Sequence, residues 1–322
     1  MRDSVVVIVN YRCEVHTLAC VSHLRADEGN CPAEAIVVDN SPSEQLAQGL
    51  ARIDPTVKYL PQSENLGFAG GVNRGLMHAT RRVVILLNPD ARPGPGCLDG
   101  LFDVVVQEGE VVAGPALVPL TPGRPSHPSA LKRDPDFWTA LVEYTVAHRV
   151  VDGNWLDRNY FLRGEDVADS PVECATVQGA CLAFPRNLVD RVGEFDAARF
   201  FLYWEETDFL RRVREAGGRV LFCPHLTCRH DGGASLVDGQ QDAELFWRGL
   251  YRYHRKYNGL LGELLLRMAL VPGMALELAL LVALHFGRRG GDRNLRRDVE
   301  TVRIRLREQF RLRPSRAGLS GR

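Results

Sequence analysis

Apolar residues in the first ninety positions come in short unbroken runs, separated by stretches of helical period. Val5-Val6-Val7-Ile8-Val9 is continuous and β-branched, the pattern of a strand buried on both faces, and it ends at Asn10-Tyr11. A helical stretch follows from about Glu14 to Ala26. Ala35-Ile36-Val37-Val38 predicts a second strand, closing on Asp39-Asn40-Ser41. Next come a helix near Ser43–Arg52, a short strand Val57–Leu60, and a loop ending in Glu64-Asn65-Leu66-Gly67-Phe68. A helix through Ala69–Ala79 and a strand Val83–Leu87 complete the series, the strand ending at Asn88-Pro89-Asp90. Strands alternating with helices predict an α/β fold with a mostly parallel sheet, whose ligand lies at the C-terminal ends of the strands. Asn10, Asp39 and Asp90 share that rim.

Farther on, Trp204-Glu205-Glu206-Thr207-Asp208 brings three carboxylates together directly after the aromatic run Phe200-Phe201-Leu202-Tyr203. Leu210–Ala216 follows with helical period and stops at Gly217-Gly218. Two readings stand side by side. Acids in a first helical turn sit well on the positive end of the helix. A carboxylate beside an aromatic platform can also take a proton from a hydroxyl. Bland readings exist for the rim as well: Asp39-Asn40-Ser41-Pro42 and Asn88-Pro89-Asp90 suit turns. Gly67-Phe-Ala-Gly70-Gly71 suits either close helix–sheet packing or a backbone approaching a diphosphate at a helix N-terminus. That glycine segment is not G-x-G-x-x-G and follows the third strand, which argues against a dinucleotide dehydrogenase.

Composition narrows the class. The chain has 322 residues, 45% hydrophobic and 25% charged, enough for one large domain or one domain with an appendage. The net charge is zero but uneven: residues 288–322 carry twelve Arg and four acids, a net of +8, leaving −8 on residues 1–287. The eight Cys (13, 20, 31, 97, 174, 181, 223, 228) form no C-x-x-C pair and lie mostly in apolar runs, as reduced core residues do. Met1-Arg2-Asp3 leads straight into the first strand rather than into a secretory core. The expectation is a cytoplasmic protein.

Taken in order, the blocks resemble a known family. Val-Asn10-Tyr11, Val-Asp39-Asn40-Ser41, Glu64-Asn65-Leu-Gly67-Phe-Ala-Gly70-Gly71-Val-Asn73-Arg-Gly75 and Leu-Leu-Asn88-Pro89-Asp90-Ala91 resemble the nucleotide-sugar half of the family 2 glycosyltransferases, in particular their bacterial rhamnosyltransferase-like branch. Gln178-Gly179-Ala180-Cys181, Phe195-Asp196, Phe200 to Asp208 and Arg229-His230 resemble the acceptor half. The resemblance covers about residues 4–235. It implies the glycosyltransferase A fold, a Rossmann-like, mostly parallel sheet flanked by helices, and an inverting, metal-dependent transfer from a nucleoside-diphosphate sugar to a hydroxyl-bearing acceptor.

Carried over residue by residue, the resemblance sets Asn10 and Tyr11 beside the base and Asp39 on the nucleoside. The loop with Asn65, Gly67, Gly70 and Asn73 lies against nucleotide and diphosphate. Asp90 is the metal-binding acid of the family's Asp-x-Asp motif, in which this chain has Asn88 at the first position. Loss of one carboxylate weakens a hard-cation site, although Mg²⁺ commonly takes only one or two carboxylates plus substrate phosphates. Mg²⁺ or Mn²⁺ is the expected cofactor, with His230 as a further ligand; the competing reading of His230 is a hydrogen-bonded residue ending a strand. Glu206 aligns with the catalytic base, usually Asp in the family. Gly179, Trp204, Glu205 and Asp208 fall on the acceptor side, and Asp208 also suits a helix cap. The donors implied are dTDP-rhamnose or a UDP-sugar. The acceptors are a polyprenyl-linked saccharide, a growing cell-surface polysaccharide or a secondary metabolite.

Other segments lie outside the resemblance. The expected domains are 1–235, catalytic, and 236–322, a helical C-terminal appendage. Within the first, 1–115 is the nucleotide-sugar half, 116–170 a variable insertion, and 171–235 the acceptor half. The insertion is Pro-rich at first (Pro115, Pro119, Pro122, Pro125, Pro128), and suits either an acceptor-site wall or a surface excursion. Residues 260–286 are apolar enough to raise the question of a membrane span. Yet Glu263, Arg267, Glu277 and His285 fall within roughly 80° of one another at helical period, with Pro272 expected to kink the helix. A polar stripe suits a helix lying in the membrane interface or packed on the protein better than an isolated span. With the basic tail 288–322, it suggests peripheral attachment to an anionic membrane at its inner face. Nucleic acid is not expected, since no recognition module accompanies the tail. Two rival functions remain: a sugar nucleotidyltransferase, disfavoured by Asn10-Tyr11-Arg12-Cys13 where a Gly-rich basic loop is expected, and an inactive glycosyltransferase-like binding subunit, for which Asn88 speaks.

Overall fold

The computed structural model of the protein describes residues 2–26, 32–121, 128–151, 154–162, 170–230, 239–287 and 293–311. Cys31, Pro122, Pro125, the side chain of His285, and residues 288–292 and 312–322 of the basic tail lie outside the described residues. The chain packs as two compact units, residues 1–134 with 160–237, and residues 135–159 with 238–322.

The first unit follows the alternation of the sequence: β1 Arg2–Asn10, α1 Glu14–Ala26, β2 Pro32–Asp39, α2 Glu44–Ile53, β3 Lys58–Pro61, α3 Gly67–Leu76, β4 Val83–Leu87, β5 Ala91–Pro93, α4 Cys97–Glu108, β6 Val111–Val118 and β7 Ala130–Leu131. Three short helices of the second unit intervene: α5 Phe137–Tyr144, α6 Ala147–Val150 and α7 Trp155–Asn159. The first unit then resumes with β8 Phe161–Leu162, β9 Val172–Glu173, β10 Thr176–Val177, β11 Cys181–Pro185, α8 Leu188–Val192, α9 Glu205–Glu215 and β12 Arg219–His230. The main sheet runs β3-β2-β1-β4-β11-β6-β12-β5, with β9 beside β12. β1 is parallel to β2 and β4, β2 to β3, and β6 to β12; β11 is antiparallel to both β4 and β6. Reversing twice through β11 returns β6 and β12 to the direction of β1, β2 and β4. The C-terminal ends of all five therefore lie on one edge of the sheet.

Alternate residues of the β-branched runs feed two cores, as a strand covered on both faces requires. Val5, Val7, Val9, Ile36 and Val38 pack on one face with Val72, Leu76 and Phe209 of α3 and α9. Val6, Ile8 and Val37 pack on the other with Val21, Leu46 and Leu101 of α1, α2 and α4. At roughly 1.5–3 kcal/mol per fully buried aliphatic side chain, these two layers are the chief stabilising term. The seven described cysteines form no disulfide and are buried, and burial pushes the thiols of Cys20, Cys174 and Cys223 up to about 12.

The second unit is helical. α10, Gly239–Gly287, is interrupted at Gly259 (φ +69°), and it runs on through Pro272. α11, Arg293–Arg311, packs on it, with Tyr251 donating to Gln309. Tyr144 of α5 lies edge-on to Phe246 and Trp247 of α10.

Candidate active site

Register makes Asn10 and Asp39 the last rung of β1 and β2. Asn10 Nδ2 donates to Asp39 Oδ1 at 2.7 Å, and Asn10 Oδ1 accepts from the hydroxyl of Thr17 at 2.7 Å and the thiol of Cys13 at 3.3 Å. The Ser41 N–H donates to Asp39 Oδ1 at 3.0 Å and the Tyr59 hydroxyl to Oδ2 at 2.7 Å. Both rim residues are fully buried, and a buried carboxylate demands such donors on each oxygen. Burial and the neighbouring Asp39 push the Tyr59 phenol up. Tyr11 is half-buried beneath the Arg12 guanidinium, 5.1 Å from its ring centre.

The glycine-rich segment begins α3 rather than preceding it. Asn65 Oδ1 accepts from the Gly67 N–H at 2.9 Å, and Asn40 Nδ2 donates to the Gly67 carbonyl at 2.9 Å. Gly67 has φ +72°, and a Cβ there would lie 2.3 Å from the Phe201 carbonyl oxygen, so only glycine fits. The Phe68 N–H donates to that same carbonyl at 2.8 Å, tying the segment to the aromatic run. Gly70 lies inside the helix against Leu66 and Ala197. Asn73 uses both ends of its amide on the Phe195 backbone, at 2.8 and 3.0 Å, and so holds α3 in place from behind. Close packing accounts for Gly71 and Gly75, whose α-carbons face Val9 and Val7 of β1.

A second group gathers where β4 and β12 end. His230 pairs with Ala91 across β12 and β5, which brings its Nε2 to 3.2 Å from Asp90 Oδ1 and 3.4 Å from Asn88 Nδ2. Asp90 is buried and His230 largely so. The Asn88 N–H donates to the Ala180 carbonyl at 2.9 Å, linking this group to the start of β11.

Glu206 stands next along the same edge. The Gly179 backbone N–H hydrogen-bonds the Glu206 carboxylate, and a Cβ at Gly179 would sit in ordinary contact, 3.5 Å from Cβ and Cγ of Glu206, so the two residues are neighbours. Asn88, Ala180, Gly179 and Glu206 thus form a continuous line of contacts. Tyr203 and Trp204 both have left-handed backbone, φ +67° and +73°, immediately before α9. Such conformations cost of order 1–3 kcal/mol each in non-glycine residues and concentrate at functional sites. The helix starts at Glu205, five residues earlier than the apolar period alone implies. One carboxylate oxygen each of Glu205 and Glu206 is enclosed with no hydrogen-bond partner. Burial pushes the Glu206 carboxyl above the ordinary glutamate range, against the backbone N–H groups of Glu206, Thr207 and Gly179, which favour the anion. Burial, and then the charge of Glu206, hold Glu205 well above that range. A poised, underbonded carboxylate is what a general base needs.

Asp208 is fully buried, and its Oδ2 accepts from Arg212 Nε at 2.9 Å. The same guanidinium donates to the carbonyls of Val192 and Glu194 at 2.5 and 2.8 Å. Asp208 therefore anchors α9 to the end of α8. Trp204 is buried and its carbonyl accepts the Asp208 N–H at 2.9 Å. Tyr59, Thr17, Ser41 and Arg212 support the site yet carry no motif of their own. The i,i+4 spacing of Asp208 and Arg212 is the one local signal among them.

Asp90 and His230 supply one carboxylate oxygen and one imidazole nitrogen, with the Asn88 amide alongside. No group of three His, Cys, Asp or Glu side chains suited to a metal occurs among the described residues. The donor set suits a divalent cation whose remaining ligands are phosphate oxygens and water, and does not suit an all-protein cage.

Known proteins similar in sequence or in fold are the following. The N-acetylglucosaminyl-diphospho-decaprenol L-rhamnosyltransferase of Mycobacterium tuberculosis is 29% identical over 215 residues, 62% of this chain and 66% of the relative, so the chain matches just under two thirds of that protein's length. In fold, the chain is similar to GalNAc-T7, solved with UDP, GalNAc and Mn²⁺ (TM-score 0.57, 14% identity, 79% of this chain and 50% of that one). It is also similar to the mannosyltransferase PcManGT of Pyrobaculum calidifontis, solved with GDP-Man and Mn²⁺ (TM-score 0.52, 18% identity, 96% and 85%). Residues 5–163 match the family described as glycosyl transferase family 2 and form a domain of that family.

Proposed function

We propose that the protein transfers a sugar, with inversion, from a nucleoside-diphosphate sugar to a hydroxyl of a saccharide-bearing acceptor. Residues 1–235 carry the chemistry. The observation that supports this best is the line from Asp90 and His230 through Asn88, Ala180 and Gly179 to Glu206 along one sheet edge. It sets a phosphate-facing pair beside a proton acceptor. Asn10, Tyr11 and Asp39 form the nucleoside end, and Asn65, Gly67 and Gly70 the diphosphate segment. Asn73 contributes by holding that segment.

Glu206 takes the proton of the acceptor hydroxyl while its oxygen bonds to the anomeric carbon and the bond from that carbon to the phosphate oxygen breaks. Asp90 and His230 would hold Mg²⁺ or Mn²⁺ together with the diphosphate, and the cation would neutralise charge on the departing phosphate. Gly179, Trp204 and Glu205 border the acceptor side, with Asp208 acting through Arg212.

The relative from Mycobacterium tuberculosis favours a rhamnosyl donor such as dTDP-rhamnose, with UDP-sugars next, and a polyprenyl-linked saccharide as acceptor. A lipid-borne acceptor agrees with a cytoplasmic protein held peripherally at the inner face of the membrane through residues 236–322. The test is release of nucleoside diphosphate from dTDP-rhamnose and UDP-sugars, with and without Mn²⁺, by the full chain and its Glu206→Gln variant. Cation-dependent release lost in the variant is the expected result. Nucleotide binding without turnover for any donor would instead make the protein a binding subunit, the reading that Asn88 favours.

A further inference from the structure

Helices at a protein surface normally turn polar residues to water and apolar ones inward. The second half of α10 does the reverse. Between residues 260 and 284 no exposed position is polar. Exposed side chains recur at three- and four-residue steps, including Leu261, Leu265, Met268, Leu276, Leu280 and Leu284, and Leu261 and Met268 are 68% and 72% exposed. The acids of this half of the helix, Glu263 and Glu277, are buried. Glu263 accepts from Arg267 at 2.9–3.0 Å, with Arg255 at 3.5 Å, and Glu277 lies 3.6 Å from Arg149 and 3.7 Å from His148 of α6. Glu263, Arg267 and Glu277 of the polar stripe thus face the rest of the unit, and an aliphatic stripe about 37 Å long, at 1.5 Å per residue, faces outward.

We infer that this stripe is a membrane-docking face that enters the acyl edge of one leaflet. A bilayer suits it better than a protein partner for two reasons. The cores of protein interfaces favour aromatic residues, Met and Arg, and apart from Met268 every exposed residue here is aliphatic. Basic residues also bracket the stretch, Arg252, Arg255 and Lys256 before it and Arg288 and Arg289 after it, and residues 288–322 carry +8. That charge complements anionic headgroups. The helix does not cross. Its other face carries the ion pairs with α6, whose His148 and Arg149 side chains are more than a third exposed, and a bilayer core would strand them. The inference rests on the membrane part of the proposed function, to which it adds the face and the side chains; it needs none of the transfer chemistry.

The test is flotation of the full chain with vesicles of phosphatidylcholine alone or mixed with phosphatidylglycerol, at low and high salt. Binding should be stronger to the anionic vesicles and partly retained at high salt. The triple variant Leu265→Gln, Leu276→Gln, Leu280→Gln should lose roughly tenfold or more of its partitioning. Flotation of that variant like the parent, or none by the parent, overturns the proposal. So does a parent dimer that the triple variant dissociates without any vesicle binding, which would make the stripe a self-association surface. Should the triple variant misfold, an environment-sensitive dye on Leu276→Cys, read against labelled parent, replaces it. A blue shift on adding vesicles supports docking, and its absence overturns it. Glu206→Gln should float like the parent, so loss of transfer there and loss of docking here are separate failures.

Discussion

Nε2 of His230, at the end of the last strand of the sheet, lies 3.2 Å from Oδ1 of Asp90, just beyond the end of β4. The antiparallel rung between His230 and Ala91 creates this contact, and the Asn88 amide joins it at 3.4 Å. As the proposed protein ligands, these two would be few for a divalent cation, so affinity should depend on the nucleotide diphosphate being present. In thermal-shift titrations, Mn²⁺ should stabilise the protein more with UDP or dTDP than alone. Asp90→Asn and His230→Ala should abolish that synergy. Equal Mn²⁺ effects with and without nucleotide would contradict the assignment.

Asn88 allows the opposite experiment. Asn88→Asp restores a second carboxylate beside Asp90, and its negative charge should tighten Mn²⁺ binding, read as a lower half-saturating concentration. Unchanged affinity would mean that Asn88 lies outside the coordination sphere.

Glu206→Gln should lower turnover by roughly 10²–10⁴-fold, as removal of a positioned base does, while leaving nucleotide affinity by calorimetry close to the parent's. Burial raises the Glu206 pKa, so the ionised form that the proposed base requires is lost as pH falls through a value above the usual glutamate range. The acid limb of kcat against pH should sit correspondingly high. A rate still flat at the ordinary glutamate value of 4.5 would remove Glu206 from the role.

Glu205 has the larger upward shift, caused first by burial and then by the charge of Glu206. A carboxyl whose pKa is raised on folding opposes the folded state once pH exceeds its unfolded value, and opposes it fully above the folded value. Glu205→Gln should therefore raise Tm at neutral and alkaline pH, with the gain shrinking as pH falls toward 4.5. A gain that is independent of pH would point to packing rather than charge.

Asp208→Asn should cost about 3 kcal/mol, because it leaves the mostly buried Arg212 without its charge partner. The damage should appear in kcat more than in KM, since α9 carries Glu206. A variant with normal Tm and normal kcat would make the ion pair incidental.

Gly75→Ala should destabilise by about 1–3 kcal/mol, since its Cβ would lie 2.3 Å from Val7 Cγ1. Adding Val7→Ala should recover part of that loss. Strict additivity of the two changes would show that the glycine is not there for close packing.

Some of this architecture was legible without coordinates. The β-branched runs at Val5–Val9 and Ala35–Val38 follow from short-range sterics and two-sided burial, and the strands stand where those runs stand. A parallel sheet then requires that the polar residues closing its strands share an edge, which is why Asn10, Asp39 and Asp90 were readable as a rim. Boundaries were less secure. α3 begins at Gly67 and α9 at Glu205, because the left-handed turn at Tyr203 and Trp204 and the fit of Gly67 against Phe201 fix their starts, and neither leaves an apolar period.

By itself, then, the sequence determined the strands and helices of the first ninety residues and the family blocks, since each depends on interactions among near neighbours in the chain. Only the tertiary structure decided which far-apart groups meet and which are enclosed. Strand order and register bring His230 to Asp90. The Gly179 backbone meets Glu206, and burial leaves two glutamates underbonded. Ion pairs with α6 and within α10 turn Glu277 and Glu263 inward and leave Leu261, Leu265, Leu276 and Leu280 outward. A helical wheel fixes only the spacing of a stripe; what the rest of the chain presents to each side decides whether that stripe meets protein or solvent.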